Sequence, residues 1–178
     1  GCYMDTKVLT ESSKATNSAQ ANPEKAKLHR KRLVVCSEPS KGDCINNDIM
    51  KELTGGGDIS ARMLHSSETS VELFLTLIME CNDKPFLKED PTQADSERIT
   101  DILFPSFFTS DSSLHDPEKF IFAKDKKYKS KQWRDSVRVV FMNMLIKYLI
   151  DFKRDFQIEQ YVPETVKRRS LMYLQESF

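Results

Sequence analysis

The chain has 178 residues, enough for one domain with a small appendage and a true hydrophobic core, and too few for a large multidomain enzyme. Apolar residues at 39%, charged residues at 30% and only 5 glycines exclude a collagen-like chain and differ from the composition of disordered ones. Lys+Arg 27 balance Asp+Glu 27, so a histone-like polycation is excluded and any nucleic-acid contact must come from a local patch.

In chain order, the polar, aperiodic stretch from Glu11 to Asn22 reads as a surface loop. Asn22-Pro23-Glu24 sets a capping residue before a proline at the first helical position, which predicts a short helix to Leu28. Leu33-Val34-Val35-Cys36 is a β-branched apolar run, predicting a strand buried on both faces that stops at Ser37-Glu38-Pro39. Ile45, Ile49, Met50 and Leu53 recur at helical spacing, and Gly55-Gly56-Gly57 ends that helix. Ile59 to Leu64, a polar tip from His65 to Glu68 and an extended run from Thr69 to Met79 form a hairpin pattern whose second arm becomes a core strand. That arm ends in Glu80-Cys81-Asn82-Asp83 before Lys84-Pro85, and a third apolar run, Ile99 to Phe104, precedes Pro105.

From Trp133 to Phe152 the apolar positions Val137, Phe141, Met144, Leu145 and Tyr148, among others, predict one face of a long helix, with Arg134, Arg138, Lys147 and Asp151 opposite. A second helix is predicted from Pro163 to Phe178. Strands alternating with helices, and then helices alone, predict an α/β core with a helical C-terminal extension.

Cys2, Cys36, Cys44 and Cys81 form no C-x-x-C pair and His29, His65 and His115 lie far apart, so a zinc site is not expected. Cys36 and Cys81 each end an apolar run, where a free thiol acts as a small buried hydrophobe; a reducing interior is the expected setting. No apolar stretch reaches the roughly 18 residues of a membrane span, and no signal peptide is evident. The start at Gly1, without Met, reads as a piece of something longer.

Two strands that each end in a polar residue, Glu38 and Asn82, match the way open parallel sheets place ligand groups at their carboxyl edge. A carboxylate there orients and activates water, and an amide positions that water or a γ-phosphate; the alternative is that both cap solvated turns. Arg98, in Asp95-Ser-Glu-Arg-Ile99, can reach a phosphate or a neighbouring subunit, or pair with Asp95, Glu97 or Asp101. Arg62 and His65 flank the hairpin tip and Lys51 lies in the preceding helix, either as nucleic-acid contacts or as solvated groups. The basic run Lys124, Lys126, Lys127, Lys129, Lys131 and Arg134 can track a phosphate backbone or form a solvated loop.

Taken together, Arg32-Leu-Val-Val-Cys-Ser-Glu38-Pro, Lys51-Glu-Leu-Thr-Gly-Gly-Gly-Asp58-Ile-Ser-Ala-Arg62, Leu73 through Asn82-Asp-Lys-Pro85 and Arg98 before Phe104-Pro resemble the superfamily 3 helicases. The likeness is to the poxvirus-type helicase-primases of large DNA viruses and their phage and plasmid relatives. It implies an AAA+-like parallel-sheet ATPase with a β-hairpin insertion, working as a homo-hexamer on single-stranded or forked DNA during genome replication. It assigns residues 1–110 to a partial ATPase core and 111–178 to a mainly helical region, with a fused primase domain in the full-length protein. An intracellular setting follows, host cytoplasm or nucleus if viral. Glu38 matches the Walker B acid, and with it the Mg²⁺ site; Asn82 matches the sensor and Arg98 the arginine finger offered to a neighbour's ATP. Lys51, Arg62 and His65 match the hairpin motif that grips DNA.

The sequence departs from the family in three places. Ser37-Glu38 stands where many relatives have two acids, and Glu97-Arg98 leaves one arginine where many have a pair. Glycines occur only at 1, 42, 55, 56 and 57, none of which fits the G-x-x-x-x-G-K-[ST] of a P-loop, so the chain resembles the part of such an ATPase downstream of that loop. The expected function is therefore a portion of an ATP-dependent DNA helicase. Its alternatives are a non-catalytic DNA-binding or ring-assembly module that has lost ATP binding, and an α/β interaction domain with accidental motif matches.

Overall fold

A computed structural model describes residues 1–10, 23–61, 70–155 and 162–176. They fall into two units, Gly1–Thr100 with Ser170–Phe178, and Asp101–Arg169. The architecture is mixed α/β, with parallel pairing, one small antiparallel hairpin and helices toward the C-terminus.

In the first unit, β1 (Cys2–Tyr3) leads into helix α1 (Lys7–Thr10), and α2 (Pro23–Ala26) precedes β2 (Leu33–Ser37). Helix α3 (Asn47–Thr54) begins where the Asn46 side chain accepts the N–H groups of Asp48 and Ile49 at 3.0 and 3.1 Å, satisfying two donors that the helix itself leaves unpaired. It ends at Gly55, and the positive φ of Gly56 and Gly57 turns the chain into β3 (Gly57–Ser60). β3 pairs antiparallel with β4 (Ser70–Leu73), and β5 (Thr76–Glu80) joins the sheet in the order β1-β2-β5, all parallel. Helix α4 (Gln93–Ser96) follows. The core lies on one face of this sheet: Leu9, Leu28, Val34, Cys36, Leu53 and Leu73 are nearly or wholly removed from solvent. A second cluster joins Ile45, Met50 and Leu87 to Leu174 from the last helix.

The second unit holds β6 (Phe107–Thr109), parallel to β7 (Ile121–Ala123), and the long helix α5 (Lys131–Asp155). Helix α6 (Glu164–Glu176) follows Pro163; its residues from Ser170 onward, about two turns, belong to the first unit. No helix among the described residues is long and apolar enough to cross a membrane.

Several expectations change. β2 is buried on one face only: Val34 and Cys36 are 0% exposed, whereas Leu33 on the other face is 42% exposed. The run from Thr69 to Met79 is two strands, β4 in the hairpin and β5 in the parallel sheet, because the chain leaves one partner and takes up another around Phe74. The third apolar run, Ile99 to Phe104, to which the sequence assigned no element, takes no regular structure, and strand pairing resumes only after Pro105, which has no N–H to donate. Cys81 lies one residue beyond β5 and is exposed, not buried. Helix α5 has no single apolar face: Val139, Val140, Phe141 and Met142 are consecutive, and at about 100° per residue four neighbours span most of the circumference. All four are exposed.

Candidate functional site

Ser37 pairs with Glu80 at the ends of β2 and β5, so both chains leave the sheet at the same edge. Glu38 and Asn82, 44 residues apart in sequence, meet there. One oxygen of Glu38, Oε1, accepts the backbone N–H of Asn82 at 3.1 Å and of Asp83 at 2.8 Å; the other accepts the Asn82 side-chain amide at 3.4 Å. Both side chains are open to solvent. The edge is held from two sides that the sequence did not reveal. Buried Thr6 donates through Oγ1 to the Ser37 carbonyl at 2.5 Å, and Tyr173 of α6 donates through its hydroxyl to the Pro85 carbonyl at 2.5 Å. Lys84, between Asn82 and Pro85, lies over the Tyr173 ring and pairs with Glu176 at 3.5 Å. No local signal marks either anchor, since each acts across more than 30 residues.

Arg98 follows α4 directly and is exposed. Its guanidinium donates to the Ala94 carbonyl at 2.6 Å and makes no ion pair among the described residues. The three acids expected to neutralise it are engaged elsewhere: Asp101 with Arg169 at 3.1 Å, Glu97 with the Gln93 amide at 3.1 Å, and Asp95 with Lys51 at 3.3 Å.

Asp95 is 0% exposed and Lys51 of α3 is 28% exposed at the side chain. One Asp95 oxygen, Oδ2, also accepts the Thr92 N–H at 2.7 Å and the Thr92 hydroxyl at 2.6 Å, fixing the start of α4. Burial by itself raises the Asp95 pKa; the Thr92 hydroxyl and amide, together with the Lys51 ammonium, outweigh it and hold the carboxyl below its ordinary range. The Thr92-x-x-Asp95 spacing is a readable capping signal for this contact; its partner Lys51 is not readable.

The hairpin base is secured at Glu72, whose N–H donates to His29 Nδ1 at 3.2 Å and whose carboxylate pairs with Arg30 at 2.6 Å. Arg62 and His65 lie outside the described residues. In the second unit the basic run from Lys124 to Arg134 is exposed; Lys127 pairs with Asp125 at 2.7 Å.

No family model matches the chain. It is 29% identical over 178 residues to the "Putative helicase L207/L206" of Acanthamoeba polyphaga mimivirus, a likeness that takes in 96% of this chain. The chain spans 18% of the length of that relative.

Proposed function

We propose that this chain carries the water-activating edge of an AAA+-like, NTP-dependent DNA helicase that works as a ring. The meeting of Glu38 with Asn82 at the shared end of two parallel strands carries the reading, and the likeness to the mimivirus relative along 96% of the chain supports it.

The residues present fit part of a Mg²⁺-ATP site. Mg²⁺ keeps water and phosphate oxygens as most of its ligands and asks the protein for one or two carboxylates, which Glu38 can supply. The phosphate cradle is not encoded in these 178 residues, because none of the five glycines belongs to a P-loop pattern. When bound, Mg²⁺-ATP supplies the transferable phosphoryl group and its charge neutralisation. Glu38, swung off the Asn82–Asp83 amides, orients a water and takes its proton; the freed Asn82 amide holds that water or a terminal phosphate oxygen. Arg98, left uncompensated by its neighbouring acids, is offered to a nucleotide held by an adjacent subunit. Arg62 and His65, outside the described residues, contact single-stranded DNA.

The missing P-loop favours one other reading, a DNA-binding or ring-assembly module without ATP chemistry. A P-loop encoded in frame upstream of Gly1 selects the helicase. In the complete gene product, Glu38→Gln is expected to lower Mg²⁺-dependent ATP turnover by about 10²–10⁴-fold while nucleotide binding persists. Turnover equal to the parent's overturns the proposal.

A further inference from the structure

We infer that Lys51 is a positioning residue for Arg98, acting through buried Asp95, and is not a DNA contact; this rests on the helicase reading above. Three observations converge on the pair. The first is that Lys51 and Asp95 join two helices that the sequence separates widely, and Asp95 is completely buried. Its second oxygen, Oδ1, is also buried and has no hydrogen-bond partner among the described residues, so the Lys51 ammonium is its one counter-charge there. The third is that the backbone of Arg98 rests on the same residue: the N–H groups of Arg98 and Ile99 both donate to the Asp95 carbonyl at 3.1 Å. Asp95 thus fixes the end of α4 through its carbonyl and the start through its carboxylate at Thr92, and Lys51 ties both to α3.

α3 is in turn anchored at its start. Asn46 donates its N–H to the Leu9 carbonyl at 2.8 Å, and buried Asn47 exchanges hydrogen bonds with the Glu89 backbone at 3.2 and 3.3 Å. The exposed guanidinium, without an ion pair among the described residues, therefore stands just beyond a short helix that this buried ion pair ties to α3. An ammonium committed to a buried carboxylate is a poor phosphate ligand, since leaving it strands the carboxylate without a counter-charge.

The test uses the complete gene product. Lys51→Met is expected to lower kcat for ATP by about 10- to 100-fold, the scale of a displacement near 1 Å, with KM changed less than about twofold. Combined with Arg98→Ala it should add nothing, because both changes remove the same contribution, and Lys51→Arg should restore most of the loss. Single-stranded DNA affinity and its salt dependence should stay at the parent's level. If Lys51→Met does not fold, Asp95→Asn, which keeps the bonds to Thr92, is read by the same double-variant comparison with Arg98→Ala. An unchanged kcat, losses that add in full to those of Arg98→Ala, or a salt slope lower by about one overturns the inference, the last by making Lys51 a phosphate contact. Should Glu38→Gln retain turnover, the helicase reading itself fails; if Glu38→Gln and Arg98→Ala are inactive and Lys51→Met is not impaired, only this inference does.

Discussion

The sheet edge of the first unit and the basic run of the second hold their polar and charged residues in different ways. In the first, the bonds that matter cross long stretches of chain: Glu38 to Asn82 over 44 residues, Thr6 to Ser37 over 31, Tyr173 to Pro85 over 88. In the second, the side-chain bonds around the basic run are local, Asp125 to the Lys127 N–H and Ser130 to the Lys127 carbonyl, two and three residues apart. Apolar surface follows the same division. Val34 and Cys36 are 0% exposed in the first unit, whereas Val140 in the middle of α5 is 71% exposed. Long-range bonds and a dry core hold a polar group in place; local turns hold a charge only where its own backbone goes.

The largest expected effect tests whether the chemistry belongs to the first unit alone. Arg98→Ala in the complete gene product should lower ATP turnover by about 10³–10⁵-fold, the usual worth of an arginine acting in trans. Mixing Arg98→Ala with Glu38→Gln subunits should restore part of it, at interfaces where an intact Glu38 meets an intact Arg98. Replacing Lys126, Lys129 and Lys131 by Ala in the second unit should leave basal turnover near the parent's. No recovery in demonstrated mixed assemblies would refute action in trans.

Packing gives the next contrast. Leu53→Ala, at a side chain 1% exposed, should destabilise the first unit by about 2–5 kcal/mol, read by faster hydrogen exchange of the β2 amides. Val140→Ala should change stability by less than about 0.5 kcal/mol, read by the fluorescence of Trp133, which stacks edge-on against Tyr128 in the second unit. A large loss from Val140→Ala would mean that α5 is covered in solution.

The smallest effects are those of pH. Asp95 binds its proton less readily folded than unfolded, so its contribution is full above the ordinary value of 3.8 and is lost as pH falls through the lower folded one. Cys36 is shifted the other way: burial pushes its thiol from 9.0 up to about 11, against the Thr6 hydrogen bond. Its contribution is full below pH 9.0 and lost as pH rises toward 11. Asp111 and Asp125 in the second unit are also lowered, by the Ser113 and Lys127 contacts, but both are at the surface. The acid response of the β2 amides should therefore persist in high salt and flatten in Asp95→Asn, while that of Trp133 should weaken as salt is added. Equal salt sensitivity in both probes would erase the contrast.

What the sequence by itself determined is what bonds of two to four residues decide. The glycine stop after Thr54, the short helix behind Pro23 and the helix behind Pro163 are of this kind, because capping and steric preference act within one turn. Glu38 and Asn82 could be picked out as strand-end residues for the same reason. That they touch was decided by the tertiary structure, which set β5 beside β2 in register and put the intervening hairpin in a separate pairing. The partner of Lys51 was decided there too. Its spacing marks a solvated helix position, and only the arrival of α4, with a carboxylate too buried to remain alone, turned it inward. The exposure of Cys81 and of α5 belongs to the same class, since a run of apolar residues states a preference for burial and only neighbouring elements can satisfy it.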